Sequence, residues 1–190
     1  MRIVAGKFKG HKLAAPKDST VRPTSDRVRE ALFNILEHGI EGFAIDGARV
    51  LDLFAGTGAL GLEALSRGAK YALFIDDSTH ARSLIRRNIE ALHLTGVAKI
   101  WRRSATKPGP AGNVEPFDLV FLDPPYGKGF GEEALTAVQE GGWIAAGGIA
   151  VLEEAATTEI TVPDGYEMLD ERTYGDTQIS IFRADQGVYS

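Results

Sequence analysis

Leu119-Val120-Phe121-Leu122 is a run of four apolar residues that stops at Asp123-Pro124-Pro125-Tyr126. A strand apolar at every position is buried on both faces, as in a sheet covered by helices on each side. Neither proline donates a backbone N–H and each fixes its φ, so strand pairing cannot continue past Asp123. Asp123 precedes a proline and is driven to an extended conformation. The outcome is a rigid ledge that offers one acceptor side chain, two proline carbonyls and one aromatic ring. Such a ledge suits a ligand that brings N–H groups and a flat face, for example a nucleobase with an exocyclic amine. An ordinary strand-end turn is the alternative for the same residues.

The chain around this ledge alternates strands with helices. Residues 2–15 read as a hairpin-like arm with turns at Gly6 and Gly10, and Pro16 to Pro23 as a loop. Thr24 or Ser25 caps a helix running to about His38, with Val28, Ala31, Leu32, Ile35 and Leu36 on its apolar face and Arg27, Arg29 and Glu30 off it. Strands are expected at Val50–Phe54, Tyr71–Ile75, Ala98–Trp101, Phe117–Leu122 and Gly148–Leu152. Helices follow the glycine-rich stretch after Phe54, start at Ser78 or Thr79, and cover Glu132–Gln139. Residues 104–116 hold two glycines and three prolines and leave room for a short helix at most. Tyr166–Thr173 and Gln178–Arg183 form a closing hairpin about the turn Tyr174-Gly175-Asp176-Thr177. The fold class is therefore α/β: a mostly parallel, Rossmann-like sheet with a C-terminal antiparallel hairpin and a small N-terminal arm. Residues 1–23 read as the arm and its loop, and residues 24–190 as the α/β domain. Ligands of such sheets sit beyond the carboxyl ends of the strands, where Asp52, Asp76 and Asp123 all fall.

Gly56, Gly58 and Gly61 fit G-x-G-x-x-G between a strand and a helix, and Asp76 stands at the end of the next strand with Asp77 as its alternate. That spacing is the fingerprint of a nucleoside site, with the acid on the ribose hydroxyls. A dinucleotide would set a pyrophosphate at the helix N-terminus. Asp52 puts negative charge near that place and favours a cationic ligand, such as the sulfonium and α-amino groups of S-adenosylmethionine. A loop-capping carboxylate is the alternative for Asp52.

The chain has no cysteine, which excludes disulfides and thiolate chemistry. It shows no signal-type apolar stretch and no run long enough to span a bilayer, and a cytoplasmic, monomeric protein is expected. The net charge of −5 argues against a nucleic-acid partner, but its distribution does not. Residues 1–38 carry eight Lys/Arg and four Asp/Glu, a net of +4, which leaves −9 on the remainder. Arg2, Lys7, Lys9, Lys12, Arg22, Arg27 and Arg29 are the candidate RNA contacts in this basic region. A solvated surface with unevenly placed charges is the alternative.

The stretch Leu51-Asp52-Leu53-Phe54-Ala55-Gly56-Thr57-Gly58-Ala59-Leu60-Gly61, followed by Asp123-Pro124-Pro125-Tyr126, resembles class I S-adenosylmethionine-dependent methyltransferases acting on amines. Arg2-Ile3-Val4-Ala5-Gly6, Gly10-His11-Lys12-Leu13 and Arg22-Pro23-Thr24-Ser25-Asp26-Arg27-Val28-Arg29-Glu30 narrow the resemblance to the RsmD family, which methylates N2 of a guanine in small-subunit (16S) ribosomal RNA. The resemblance implies that Asp52, Phe54, Gly56, Gly58 and Gly61 bind the cofactor S-adenosylmethionine and that Asp76 or Asp77 holds its ribose. It further implies that Asp123 and the Pro124 carbonyl receive the target amine, with Pro125 shaping the ledge and Tyr126 stacking on the base. Two departures stand out. Ser104 occupies the place of the family's adenine-contacting acid, and Lys9-Gly10-His11 stands where the family has Arg-Gly-Arg. Lysine lacks the bidentate phosphate grip of arginine. The rivals are an adenine-N6 methyltransferase on DNA or RNA, a dinucleotide oxidoreductase that would leave Asp123–Tyr126 unexplained, and an RNA-binding module without a cofactor.

Overall fold

The computed structural model describes residues 1–17 and 25–186. Arg22 and Thr24 lie outside the described residues. The elements in order are α1 (Asp26–His38), β1 (Arg49–Leu53), α2 (Ala59–Ser66), β2 (Tyr71–Ile75), α3 (Thr79–Ala91), β3 (Ala98–Trp101), β4 (Phe117–Leu122), α4 (Phe130–Glu140), β5 (Ile144–Ala155), β6 (Tyr166–Tyr174) and β7 (Thr177–Ala184). They build one seven-stranded sheet in the order β3-β2-β1-β4-β5-β7-β6. β1 to β5 pair in parallel, and β7 joins β5 and β6 antiparallel. The order reverses between β1 and β4, which makes their carboxyl ends the switch point.

Alternate strand residues feed two cores. Val50, Phe74, Leu119, Phe121, Val151 and Ile181 face α1, α2 and α3. Leu51, Leu73, Val120, Leu122, Leu152 and Phe182 face α4 and the fully buried Trp143. The crossover at residues 104–116 contains no helix. Trp143 fills part of that space and donates its indole N–H to the Gly109 carbonyl at 2.7 Å. α1 starts at Ser25, whose hydroxyl accepts from the Val28 N–H, and α3 starts at Ser78, which accepts from the Ala81 N–H. β5 begins four residues before the expected strand. Its first half is glycine-rich and weakly apolar, and a register shift between Phe117 and Leu119 lets it pair with β4 regardless.

Residues 1–13 form the expected hairpin. Arg2 bridges Lys12, the Ile3 N–H donates to the His11 carbonyl at 3.0 Å, and the Gly10 N–H donates back to Ile3 at 2.8 Å. Ile3 and Leu13 are buried in the core beneath α1–α3, so the hairpin is packed onto the domain. Gly6 holds φ of 84°, and a Cβ there would fall 2.0 Å from the Ser66 carbonyl oxygen. The backbone approach is therefore closed to any other residue.

The hairpin is fixed by a buried carboxylate. Glu63 of α2 accepts from the Val4 N–H at 2.8 Å, the Ala5 N–H at 3.1 Å, Arg29 Nε at 3.3 Å and Arg67 Nε at 3.0 Å. This corrects the assignment of Arg29 as an exposed RNA contact. Arg29 is fully buried, pairs with Glu63 and Asp26, and donates to the Arg2 carbonyl. The physical reason is the uncompensated charge of Glu63 inside the core, which requires a guanidinium with several donors.

Candidate active site

Asp52 lies fourth in β1 and points under the N-terminus of α2. It is buried, and its Oδ2 accepts the Gly61 N–H at 3.0 Å. The loop-capping role is thus present. Burial, opposed by that hydrogen bond and reinforced by the charge of Asp76, pushes the Asp52 carboxyl up to about 8. Gly61 supports the loop from below instead of lining it: its amide is used by Asp52, and a Cβ would meet the Phe74 ring at 2.5 Å. Gly58, at φ of 80°, caps α2 without a side chain. Phe54 has φ of 54°, a left-handed conformation in a non-glycine residue at the turn from β1 into the loop. Strain of this kind at a ligand-facing turn accords with a role in shaping the site.

Asp76 ties three pieces together. Its Oδ2 accepts the Gly56 N–H at 3.0 Å, and its Oδ1 accepts the Ser78 N–H at 2.9 Å. The glycine loop, the end of β2 and the start of α3 are thereby locked around one carboxylate. Asp77 is exposed beside it. At the end of β3, Ser104 is half-buried and its hydroxyl lies 3.0 Å from that of Thr106. Arg103 stacks over Trp101 at 4.6 Å and donates to the Pro108 carbonyl at 2.7 Å, so it serves the crossover.

The ledge follows β4 directly. Pro124 is buried, Pro125 is exposed, and Asp123 and Tyr126 are half-buried. Burial, with the charges of Glu153 and Asp52 next, holds the Asp123 carboxyl well above the usual carboxylate range. The Tyr126 hydroxyl donates to Glu153 Oε1 at 2.7 Å and lies 3.1 Å from Thr177 Oγ1, which tethers its ring to β5 and β7. The Gly127 N–H donates to Glu154 Oε1 at 2.9 Å. Glu153 and Glu154 are both buried, and sequence reasoning missed them. The signal existed: they end the apolar strand β5 at the rim, where Asp52, Asp76 and Asp123 were sought.

Sequence reasoning also missed Asn88, a buried amide on the apolar face of α3. Its Oδ1 accepts the Ala14 N–H at 2.7 Å, and its Nδ2 donates to the Ala14 carbonyl at 3.2 Å and the Thr57 carbonyl at 2.9 Å. One side chain thus fastens the arm's trailing strand to the glycine loop. Arg2, Lys7, Lys9, Lys12 and Arg27 are exposed, with Lys7 Nζ 5.5 Å above the Phe8 ring. Among the described residues no cluster of His, Asp and Glu is arranged to hold a metal, and no helix is long and apolar enough to cross a membrane.

The carboxyls of Asp52, Asp76 and Asp123 gather with the glycine loop at the β1–β4 switch point, a set of acceptors suited to a ligand that brings donor groups. The family model described as Conserved hypothetical protein 95 matches residues 1–183. YlbH of Bacillus subtilis is 36% identical over 187 residues, spanning 96% of this chain and 98% of that one. Ribosomal RNA small subunit methyltransferase D of Escherichia coli K12 is 34% identical over 186 residues, covering 97% of this chain and 90% of its own. The solved structure of yhhF from Escherichia coli has a TM-score of 0.83 at 33% identity and covers 98% of this chain and 99% of that one. A match across nearly the whole length, on the arm as well as the site, means that the chain belongs to the RsmD family of rRNA methyltransferases.

Proposed function

We propose that this protein transfers a methyl group from S-adenosylmethionine to the exocyclic N2 amine of a guanine in small-subunit (16S) ribosomal RNA. The observation that carries the reading is the placement of the Asp123–Pro124 ledge beside the glycine loop, with acceptor groups at the ledge and the carboxyls of Asp52 and Asp76 behind it.

The donor set fits the cofactor. Asp52, Phe54, Gly56 and Gly58 would line its cationic amino-acid part, Asp76 its ribose, with Asp77 at the edge, and Ser104 its adenine through one hydroxyl. When bound, S-adenosylmethionine supplies a methyl group on an electron-poor sulfonium. The protein's task is then to present a nucleophile. A guanine amine is weak because its lone pair is delocalised into the ring. Asp123 and the Pro124 carbonyl accept its two N–H groups, which favours a pyramidal nitrogen with the lone pair directed at the methyl carbon. Tyr126 offers a ring face against the base, and Pro125 fixes the backbone between them. Orientation of this kind is worth on the order of 7–11 kcal/mol. The base reaches the ledge only when unstacked, as in an unpaired segment of an assembling subunit.

Incubation with methyl-labelled S-adenosylmethionine and small ribosomal subunits, followed by nucleoside analysis, tests the reading. Label in N2-methylguanosine is expected. Label in methyladenosine, or none in any nucleoside, overturns it.

A further inference from the structure

Glu153 and Glu154 form the most buried acidic pair that the mechanism above leaves unused. Leu122 pairs with Leu152, so the next residues, Asp123 and Glu153, emerge side by side at the rim. The two carboxyls are close enough to share a hydrogen bond. Carboxylates accept but do not donate, so that bond requires a proton on one of them. The Tyr126 hydroxyl decides which. It donates into Glu153 Oε1 at 2.7 Å and so uses that carboxyl as an acceptor, whereas no such donor reaches Asp123 among the described residues. The other acidic groups facing the pair are Asp52 on β1 and Glu154 on β5, which also disfavour two ionised carboxyls here. The same charges and burial keep the Asp123 carboxyl raised.

We propose that the proton lost by the target amine leaves through the Asp123 carboxyl to Glu153, which stands behind the ledge as the proton acceptor. This rests on the amine-methylation reading. As the N–CH₃ bond forms, the S–CH₃ bond breaks and its electron pair stays on sulfur. The amine proton passes to the carbonyl oxygen of Asp123 while the Asp123 hydroxyl proton passes to Glu153. The site begins with one positive sulfonium and one negative carboxylate and ends with neither charge. Glu153 acts through Asp123 and touches no substrate, so it is a positioning residue.

The test compares Glu153→Gln with Asp123→Asn in two measurements. Infrared difference spectra, parent minus Asp123→Asn, of the cofactor-free protein at neutral pH should show a protonated-carboxyl band of Asp123 separate from that of Asp52. The band should also vanish in Glu153→Gln, because removal of the neighbouring charge lets Asp123 ionise. In single-turnover methyl transfer, Glu153→Gln should fall by about 10²-fold, the scale of losing a proton acceptor, and lose the parent's decline at acid pH. Its cofactor affinity and melting temperature should stay near the parent's, since glutamine still accepts from Tyr126. A band that persists in Glu153→Gln shows that burial alone protonates Asp123 and overturns the proposal, as does parental turnover with an unchanged acid limb. The infrared result stands whether or not guanine is the substrate, so the failure of one reading is separable from failure of the other.

Discussion

Asp123→Asn keeps the size of the side chain and one acceptor oxygen, but its amide cannot pass a proton and sets an N–H₂ group toward the target's own N–H groups. Turnover should fall by at least ~10²-fold at saturating cofactor and RNA, as for loss of one preorganised electrostatic partner, with cofactor affinity retained. A parental rate measured in single turnover would remove Asp123 from the chemistry. Asp52 gives a separate prediction at this scale. Its carboxyl is raised to about 8 in the folded protein against an ordinary value of 3.8, so the folded state holds a proton that the unfolded state releases between those values. Stability must therefore decline as pH rises through that window and level off above it. Asp52→Asn removes the decline. Its melting temperature should exceed the parent's by more at about pH 8.5 than at about pH 5, and an equal difference at both would place the buried charge elsewhere. Single residues were also where sequence reasoning reached least far. Arg29 read as lying off the apolar face, and Glu63, Asn88, Glu153 and Glu154 carried no signal, because isolated charges and amides are costly to bury. Each is buried because its partners come from elsewhere in the chain, and pattern analysis does not bring those partners together. Asp52, Asp76 and Asp123 were legible because a strand end marks them locally.

Elements were legible wherever periodicity was strong. β2, β3 and β4 begin and end where the apolar runs do, and the serine caps of α1 and α3 mark their starts. β5 was shortened in the reading because Gly147 and Gly148 interrupt it, and α4 begins at Phe130 because Gly129, at φ of 71°, turns the chain into it. The junction of the hairpin, α1 and α2 depends on Glu63. Glu63→Ala would remove the buried carboxylate that accepts from the Val4 and Ala5 amides and from Nε of Arg29. Breaking one partner of a buried ion pair costs about 3–5 kcal/mol, and denaturant unfolding should show a loss of that size. A loss below ~1 kcal/mol, the worth of an exposed pair, would mean that the network is solvated.

For the molecule as a whole, the acidic body and basic arm meet at Asn88, which sets the arm beside the glycine loop. RNA held by Lys7, Lys9 and Lys12 would lie close to the cofactor end of the sheet. Charge reversal at these three exposed lysines should weaken RNA binding and flatten its salt dependence, because fewer counterions are released, while cofactor affinity remains unchanged. Titration at several salt concentrations reads both, and an unaltered slope would reduce the arm's charges to a solvated surface.

The arm's attachments set an order on biosynthesis. Its hydrogen bonds reach Glu63 and Ser66 across 58 to 61 residues and Asn88 across 74. Residues 3–14 leave the ribosome well before those partners and cannot settle until α3 has been made. A nascent chain halted before residue 88 should therefore expose the hairpin to protease, whereas one extended past β4 should protect it. The arm is thus translated early and matures late, after the glycine loop it rests on has its supporting helix.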